Sequence, residues 1–324
     1  MTRAIRIHET GGPEVLRFEE ADPGSPGPGW VRVRHRAVGV NYIDTYHRSG
    51  LYPVGLPSGL GLEAAGVVEA LGEGVTRWKT GDRVAYGTGP LGAYSEAALV
   101  PAERLVAVPD GVSDEQAAAL MLKGLTAWYL LRRTYALTKG ETILFHAAAG
   151  GVGLLACQWA HHLGATVIGT VGSEAKTALA ASHGCDHVID YSRENFVSRV
   201  REITGGQGLP VVYDGVGKAT FEGSLDCLRP LGLMVSFGNA SGPPPPVDLV
   251  LLSLRGSLFI TRPTLMHYTA DPLELAAGAA ELFDLVARGA IRVEIHQRFA
   301  LKDAAEAHRD LEARKTTGAT VLLP

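Results

Sequence analysis

Apolar and polar residues follow two different rhythms along this chain. In the first third they alternate. Val31-Arg-Val-Arg-His-Arg36 has the period-2 pattern of a half-exposed strand, as do Gly66–Gly72 and Asp82–Tyr86. Arg3–Glu9 predicts a further strand, and Asp22-Pro-Gly-Ser-Pro-Gly-Pro-Gly29 is turn material. Residues 1 to about 122 therefore predict an all-β region. After Ser113, a natural helix N-cap, the rhythm changes to the longer helical repeat across Asp114–Arg133. Strands then alternate with helices: strands at Glu141–Ala147, Ala165–Thr170, His187–Asp190 and Pro210–Asp214, helices at Val152–Leu163, Glu174–His183, Glu194–Thr204 and Ala219–Leu228. Leu233–Phe237 and Ser257–Ile260 complete the strands, and Asp271–Arg288 is another helix. Such alternation predicts an α/β domain with a doubly wound parallel sheet. The tail, Ile291–Pro324, predicts two strands around an Ala-rich helix. The expected division is a β-rich domain from residues 1–122 and 265–324, with the parallel-sheet domain at 123–264 between them. Gly242-Pro-Pro-Pro-Pro246 reads as a rigid surface loop.

Charge and composition narrow the functional classes. The formal net charge is −4 and no basic run stands out, so neither nucleic acid nor an anionic membrane is an expected partner. The segment MTRAIRIHET lacks the apolar region of a signal peptide, and no apolar stretch is long enough to span a bilayer. Cys157, Cys185 and Cys227 are far apart without a C-x-x-C pair, which supports neither a disulfide framework nor a thiolate zinc site. A cytoplasmic location is the expectation.

One junction carries cofactor chemistry. The strand Thr142-Ile-Leu-Phe-His146 runs into Ala147-Ala-Ala-Gly-Gly-Val-Gly153 and then a helix. The run approximates G-x-G-x-x-G, with Ala148 at the first position followed by Gly150 and Gly153; Gly151 and Val152 complete the turn. Small residues there let backbone approach a pyrophosphate, and the helix N-terminus offers free N–H groups and partial positive charge. NAD sites place an acid at the tip of the second strand to bind the ribose 2′-OH. Here that tip is Ile168-Gly-Thr-Val-Gly-Ser173, with no acid and with Lys176 soon after. Gly172, Ser173, Lys176 and, after the third strand, Tyr191 and Arg193 would suit a 2′-phosphate, so NADPH is the expected cofactor. Glu174 is the one nearby feature of opposite sign.

Three segments resemble the medium-chain dehydrogenase/reductase superfamily: Gly61-Leu-Glu-Ala-Ala-Gly-Val-Val-Glu69, Gly81-Asp-Arg-Val84 and Ala147–Gly153. Asn41-Tyr-Ile-Asp44 with Tyr46, Val211–Gly217, Gly232–Asn239 and Thr261-Arg-Pro263 are similar to its quinone oxidoreductase branch. The resemblance spans essentially the whole chain and implies a Rossmann domain plus a β-rich GroES-like catalytic domain. Zinc-dependent relatives carry ligands at the positions of Asn41 and Leu62, and the eleven histidines form no compensating cluster, so no metal is expected. Without a Lewis acid, reduction of an electron-poor acceptor is favoured over alcohol oxidation.

The resemblance also implies site residues. Asn41, Asp44, Tyr46 and Tyr52 would line the active site, with the two tyrosines as donors to a quinone oxygen, Asn41 at the nicotinamide ribose or a water, and Asp44 as a turn or network residue. Thr126 would face the nicotinamide ribose. Phe237, Gly238 and Asn239 would flank the cofactor crevice, and Arg314 and Gly318 would close over the dinucleotide. Reduction of quinones and reduction of activated C=C bonds such as enals both fit this site. A structural or RNA-binding role, as in animal relatives, is disfavoured by the even charge mix. The apolar strand Ser257–Thr261 has no later strand to cover it, which predicts a homodimer paired through that edge.

Overall fold

The computed structural model describes all residues, 1–324, and divides into two compact units, Met1–Leu125 with Thr269–Pro324, and Thr126–Tyr268. The first unit begins with β1 (Thr2–Ile7), β2 (Arg17–Ala21), β3 (Trp30–Val40), α1 (Tyr42–Ser49), β4 (Ser58–Gly59), β5 (Ala64–Leu71), β6 (Arg83–Tyr86), β7 (Ala97–Pro101) and β8 (Val106–Ala107). In β3 the alternation has the consequence it predicts. Val31 and Val33 are buried, while Arg34 on the other face donates from Nε to Glu69 at 2.8 Å. Helix α2 (Asp114–Tyr129) follows, and the division between the units falls within it.

The second unit contains β9 (Thr142–Phe145), α3 (Gly151–His162), β10 (Thr166–Val171), α4 (Thr177–Ala181), β11 (His187–Asp190), α5 (Phe196–Ile203), β12 (Leu209–Asp214), α6 (Phe221–Asp226), β13 (Leu228–Ser236), α7 (Leu249–Leu254), β14 (Phe259–Thr261) and α8 (Leu265–Tyr268). Its six strands are all parallel, in the order β11-β10-β9-β12-β13-β14. This is the doubly wound Rossmann order, which reverses between β9 and β12 and opens a ligand crevice at the carboxyl ends of those strands. Leu144, Ile168, Ile189, Val212 and Met234 build its core against Phe221 and Leu225 of α6.

The chain returns to the first unit with α9 (Pro272–Ala287), β15 (Ile295–Ala300), α10 (Ala304–Glu312) and β16 (Ala319–Leu323). β16 pairs antiparallel with β3, extending a sheet of order β15-β16-β3-β5-β6-β8, with β7 also on β3; β1 pairs with β2 and β4 in a smaller sheet.

The expectation of an all-β region before residue 122 is corrected by α1. Asn41 is extended at φ −131° and ψ 152°, Asp44 accepts the Asn41 N–H at 2.8 Å, and Gly50 ends the helix at φ 81°. An N-cap residue with a carboxylate three positions on and a left-handed glycine stop suffices for a two-turn helix. Elsewhere the shifts are local: the helix expected at Glu174–His183 starts as a 3-10 turn over Glu174–Lys176, and the short helices α7 and α8 were not anticipated.

Candidate active site

In the second unit the turn between β9 and α3 is built by close packing. A Cβ on Gly153 would lie 2.3 Å from the Ala147 carbonyl oxygen and 2.7 Å from that of Ala148, so only glycine lets the helix start so near the strand. Ala148 replaces the usual first glycine because Gly169 faces it on β10. A Cβ at Gly169 would come within 2.8 Å of the Ala148 methyl, and the Ala148 N–H donates to the Thr170 carbonyl at 2.9 Å. Gly150 is the N-cap of α3, at φ −83° and ψ 172°, with Gly151 and Val152 opening the first turn. This arrangement fits a pyrophosphate, whose charge the helix N-terminus favours.

Gly172, Ser173 and Lys176 follow β10, and Tyr191 follows β11. A Cβ at Gly172 would meet the Tyr191 hydroxyl at 2.7 Å, so the glycine allows that hydroxyl over the strand tip. Glu174, the feature of opposite sign, is engaged by Arg193 at 2.7 Å. After β12 and β13 two loops cross closely: a Cβ at Gly238 would lie 2.4 Å from the Gly215 carbonyl oxygen. The Phe237 ring packs on Phe145, centroids 5.7 Å apart, with Asn239 two residues on. Thr126 begins this unit and is buried.

In the first unit the polar residues of α1 and its flanks come together. The Tyr46 and Tyr52 rings meet edge-on at 5.1 Å, and Tyr42 and His47 flank them at 5.6 and 6.0 Å. Asn41 is buried and donates from Nδ2 to Glu63 at 2.8 Å. Lys123 of α2 donates from Nζ to the same Glu63 oxygen at 2.9 Å, and the other oxygen accepts the Leu122 N–H at 2.7 Å. Sequence reasoning missed Lys123, although its signal was visible: one lysine within the apolar run Ala117–Leu125. Asp44 is fully buried, and burial drives its carboxyl up to about 7. The Asn41 N–H, the Tyr94 hydroxyl and the Lys123 charge pull it the other way, and Glu63 adds to the rise. Arg314 is exposed at φ 58° and its charge acts on Tyr42, which places it by α1. Gly318, at φ 60°, has a backbone reason of its own, since a Cβ there would lie 2.6 Å from the Glu294 carbonyl oxygen.

A Rossmann sheet with a phosphate-binding turn, joined in one chain to a β-rich unit holding a buried Asn-Asp-Lys cluster beside paired tyrosines, defines a nicotinamide-dependent dehydrogenase or reductase. Comparison with known proteins specifies the family. The family described as "Zinc-binding dehydrogenase" matches residues 151–270, and "Alcohol dehydrogenase GroES-like domain" matches residues 27–110. The chain is 62% identical to a quinone oxidoreductase of Pseudomonas aeruginosa over 325 residues, covering all of both chains. It is 49% identical to a 2-haloacrylate reductase of Burkholderia, covering all of this chain and 99% of the other. The crystal structure of Escherichia coli quinone oxidoreductase complexed with NADPH superposes with a TM-score of 0.98 at 51% identity, over 99% of this chain and 100% of that one. The chain belongs to the quinone oxidoreductases of the medium-chain dehydrogenase/reductase superfamily.

The zinc implied by the first family description does not fit the residues present. Leu62 offers no donor, the Asn41 amide nitrogen is spent on Glu63, and the carboxylate of Glu63 is occupied by three N–H groups. No group of three His, Cys, Asp or Glu side chains could hold a metal ion.

Proposed function

We infer that this chain is an NADPH-dependent reductase of quinones whose acceptor site uses protein hydrogen-bond donors where zinc relatives use a metal. The observation that carries this reading is the Asn41-Glu63-Lys123 cluster. It puts a buried ammonium next to the tyrosine-bearing helix, in the stretch where a Lewis acid would otherwise act. NADPH, when bound, supplies the hydride. The Lys123 ammonium keeps two of its three N–H bonds beyond the one given to Glu63 and stabilises the oxyanion that develops on the acceptor. The Tyr46 and Tyr52 hydroxyls donate to the acceptor oxygens, and their rings give a planar quinone an apolar face. Asn41, fixed by Glu63, keeps the start of α1 in place. Reduction of activated C=C bonds is the second reading, supported by the similarity to the 2-haloacrylate reductase.

The cofactor contacts are proposed as the turn Ala148–Gly153, the loop Phe237–Asn239, Thr126 and Arg314, with Gly172, Ser173, Lys176 and Tyr191 around the 2′-phosphate. Lys176→Ala removes one charge-assisted contact, which is worth on the order of 1.5–3 kcal/mol. The KM for NADPH is therefore expected to rise about 10- to 100-fold with that for NADH nearly unchanged, measured by steady-state kinetics. Equal changes for both cofactors would remove Lys176 from the 2′-phosphate site.

The same reading includes a homodimer paired through β14, the last strand of the parallel sheet. Phe259 on β14 is 59% exposed, and Leu249 and Leu254 of α7 are 76% and 80% exposed. An apolar strand edge flanked by apolar helix residues is the kind of surface that a second copy covers. A cytoplasmic location belongs to this proposal too and is supported by three buried, unpaired cysteines. No helix is long and apolar enough to cross a membrane.

A further inference from the structure

A chain of buried polar side chains leads away from Asp44 through the β-rich unit. The Tyr94 hydroxyl lies 2.9 Å from Asp44 Oδ2 and 3.0 Å from His308 Nε2 of α10. His308 Nδ1 lies 3.0 Å from Arg48 Nη1, and Arg48 forms a two-pronged pair with Glu312 at 3.0 and 2.6 Å. Asp44, Tyr94 and His308 are wholly inaccessible, and only Glu312, with its side chain 36% exposed, reaches solvent.

The direction of every bond in this chain is fixed by its first member. A guanidinium has only donors and does not release a proton. His308 Nδ1 must therefore accept, and its proton sits on Nε2. Nε2–H then donates to the Tyr94 oxygen, so the Tyr94 O–H has to donate to Asp44. Burial and the Arg48 charge push His308 down to about 3, which keeps it neutral in this tautomer. Asp44 Oδ2 thus accepts two donors, the Tyr94 O–H and the Asn41 N–H, while Oδ1 is buried with no hydrogen-bond partner. A proton on this carboxyl has one place to go, because Oδ2 already faces two hydrogens.

We propose that Arg48, His308 and Tyr94 are positioning residues that form a one-way donor chain and fix Asp44 as the proton-holding carboxyl of the acceptor site, with its proton on Oδ1. The inference rests on reading α1 as part of that site. The chain is not a proton wire, since its far end is an arginine. Its work is to stabilise the ionised carboxyl enough that a fully buried group exchanges a proton near neutral pH. After hydride transfer, the Asp44 O–H bond breaks and its proton passes through a bridging water to the acceptor's oxygen anion, because Oδ1 has no accessible surface of its own. A proton from solvent returns to Asp44 along the same water before the next turnover. The sum is NADPH, a proton and a quinone giving NADP and a hydroquinone. The charged and titratable groups around Asp44 are Arg48 on its own helix, Tyr94, Glu63, Lys123, and His308 with Glu312 on α10.

Asp44 must be protonated to act, so kcat/KM falls as pH rises through its pKa. Tyr94→Phe removes one of the two donors to the carboxylate, which favours the protonated form and moves that pKa up. The test is a carbon NMR titration of the full-length protein with labelled aspartate carboxyls, Asp44 being assigned by its absence in Asp44→Asn, alongside the pH profile of kcat/KM. Tyr94→Phe is expected to raise the Asp44 midpoint by about one pH unit or more. The alkaline limb of the profile should move with it. His308→Leu should shift the midpoint in the same direction by less. His308→Gln should stay near the wild type, since its amide can accept from Arg48 and donate to Tyr94. An Asp44 midpoint unmoved by Tyr94→Phe overturns the chain, even if the variants melt earlier. A midpoint that moves while the kcat/KM limb stays fixed leaves the chain standing and overturns the placement of Asp44 in the acceptor site.

Discussion

Lys123→Met is expected to abolish most quinone reduction and to destabilise the fold, and the two losses are separable. The side chains of Lys123 and Glu63 are 7% and 0% exposed, and Nζ and Oε2 are 2.9 Å apart. Removing one partner of such a pair leaves a buried charge uncompensated, at a cost of about 3–5 kcal/mol. The catalytic loss has a different origin, the missing ammonium at the developing oxyanion, and removing one such donor lowers kcat by about 10²- to 10³-fold. Adding Glu63→Gln removes the stranded charge. Asn41, its amide turned over, and the Leu122 N–H can still bond to the glutamine. The double variant should therefore recover most of the stability in urea melts while its kcat stays as low as that of Lys123→Met. Recovery of activity along with stability would make the ion pair a packing device only.

Phe259→Asp is expected to convert a dimer into a folded monomer. In the single chain Phe259 is 59% exposed, so an aspartate there is solvated and the subunit fold tolerates it. In a pair joined through β14, two carboxylates would be withdrawn from water without partners, at several kcal/mol each. The dimer dissociation constant should rise by about 10³-fold or more. Light scattering of the wild type should give about twice the 34.2 kDa chain mass, and that of the variant should give the chain mass itself. A wild-type protein that is monomeric at micromolar concentration, or a variant that remains dimeric, would remove the β14 edge from the interface.

The parallel sheet was legible because its signal is local and repeated. β10, β11 and β12 are short apolar runs that end at Gly172, Asp190 and Asp214, and each is followed within a few residues by a helix. The cofactor turn was legible for a similar reason: Gly153 sits at a fixed offset after the strand that backbone packing enforces, with Gly150 as the helix N-cap. The short helix α1 was lost because eight residues hold too little periodicity to stand out against flanking strands, although Asn41, Asp44 and Gly50 marked its ends. The acceptor-side cluster was only half legible. Asn41, Asp44, Tyr46 and Tyr52 lie in one segment, but Glu63, Tyr94, Lys123 and His308 come from four others, brought together by strand pairing and by α10. Lys123 looks like a stray polar residue in an apolar helix, and His308 like one more polar residue of α10, until the fold supplies partners 60 and 214 positions away.

The most direct test of the central claim is the initial rate of cofactor oxidation by chelator-treated protein, with a benzoquinone as acceptor and NADPH and NADH run in parallel. Full activity without metal is expected, with kcat/KM for NADPH exceeding that for NADH by at least about tenfold. Activity that is lost on chelation and restored by zinc, or oxidation of an alcohol with NAD in preference to quinone reduction, would contradict it.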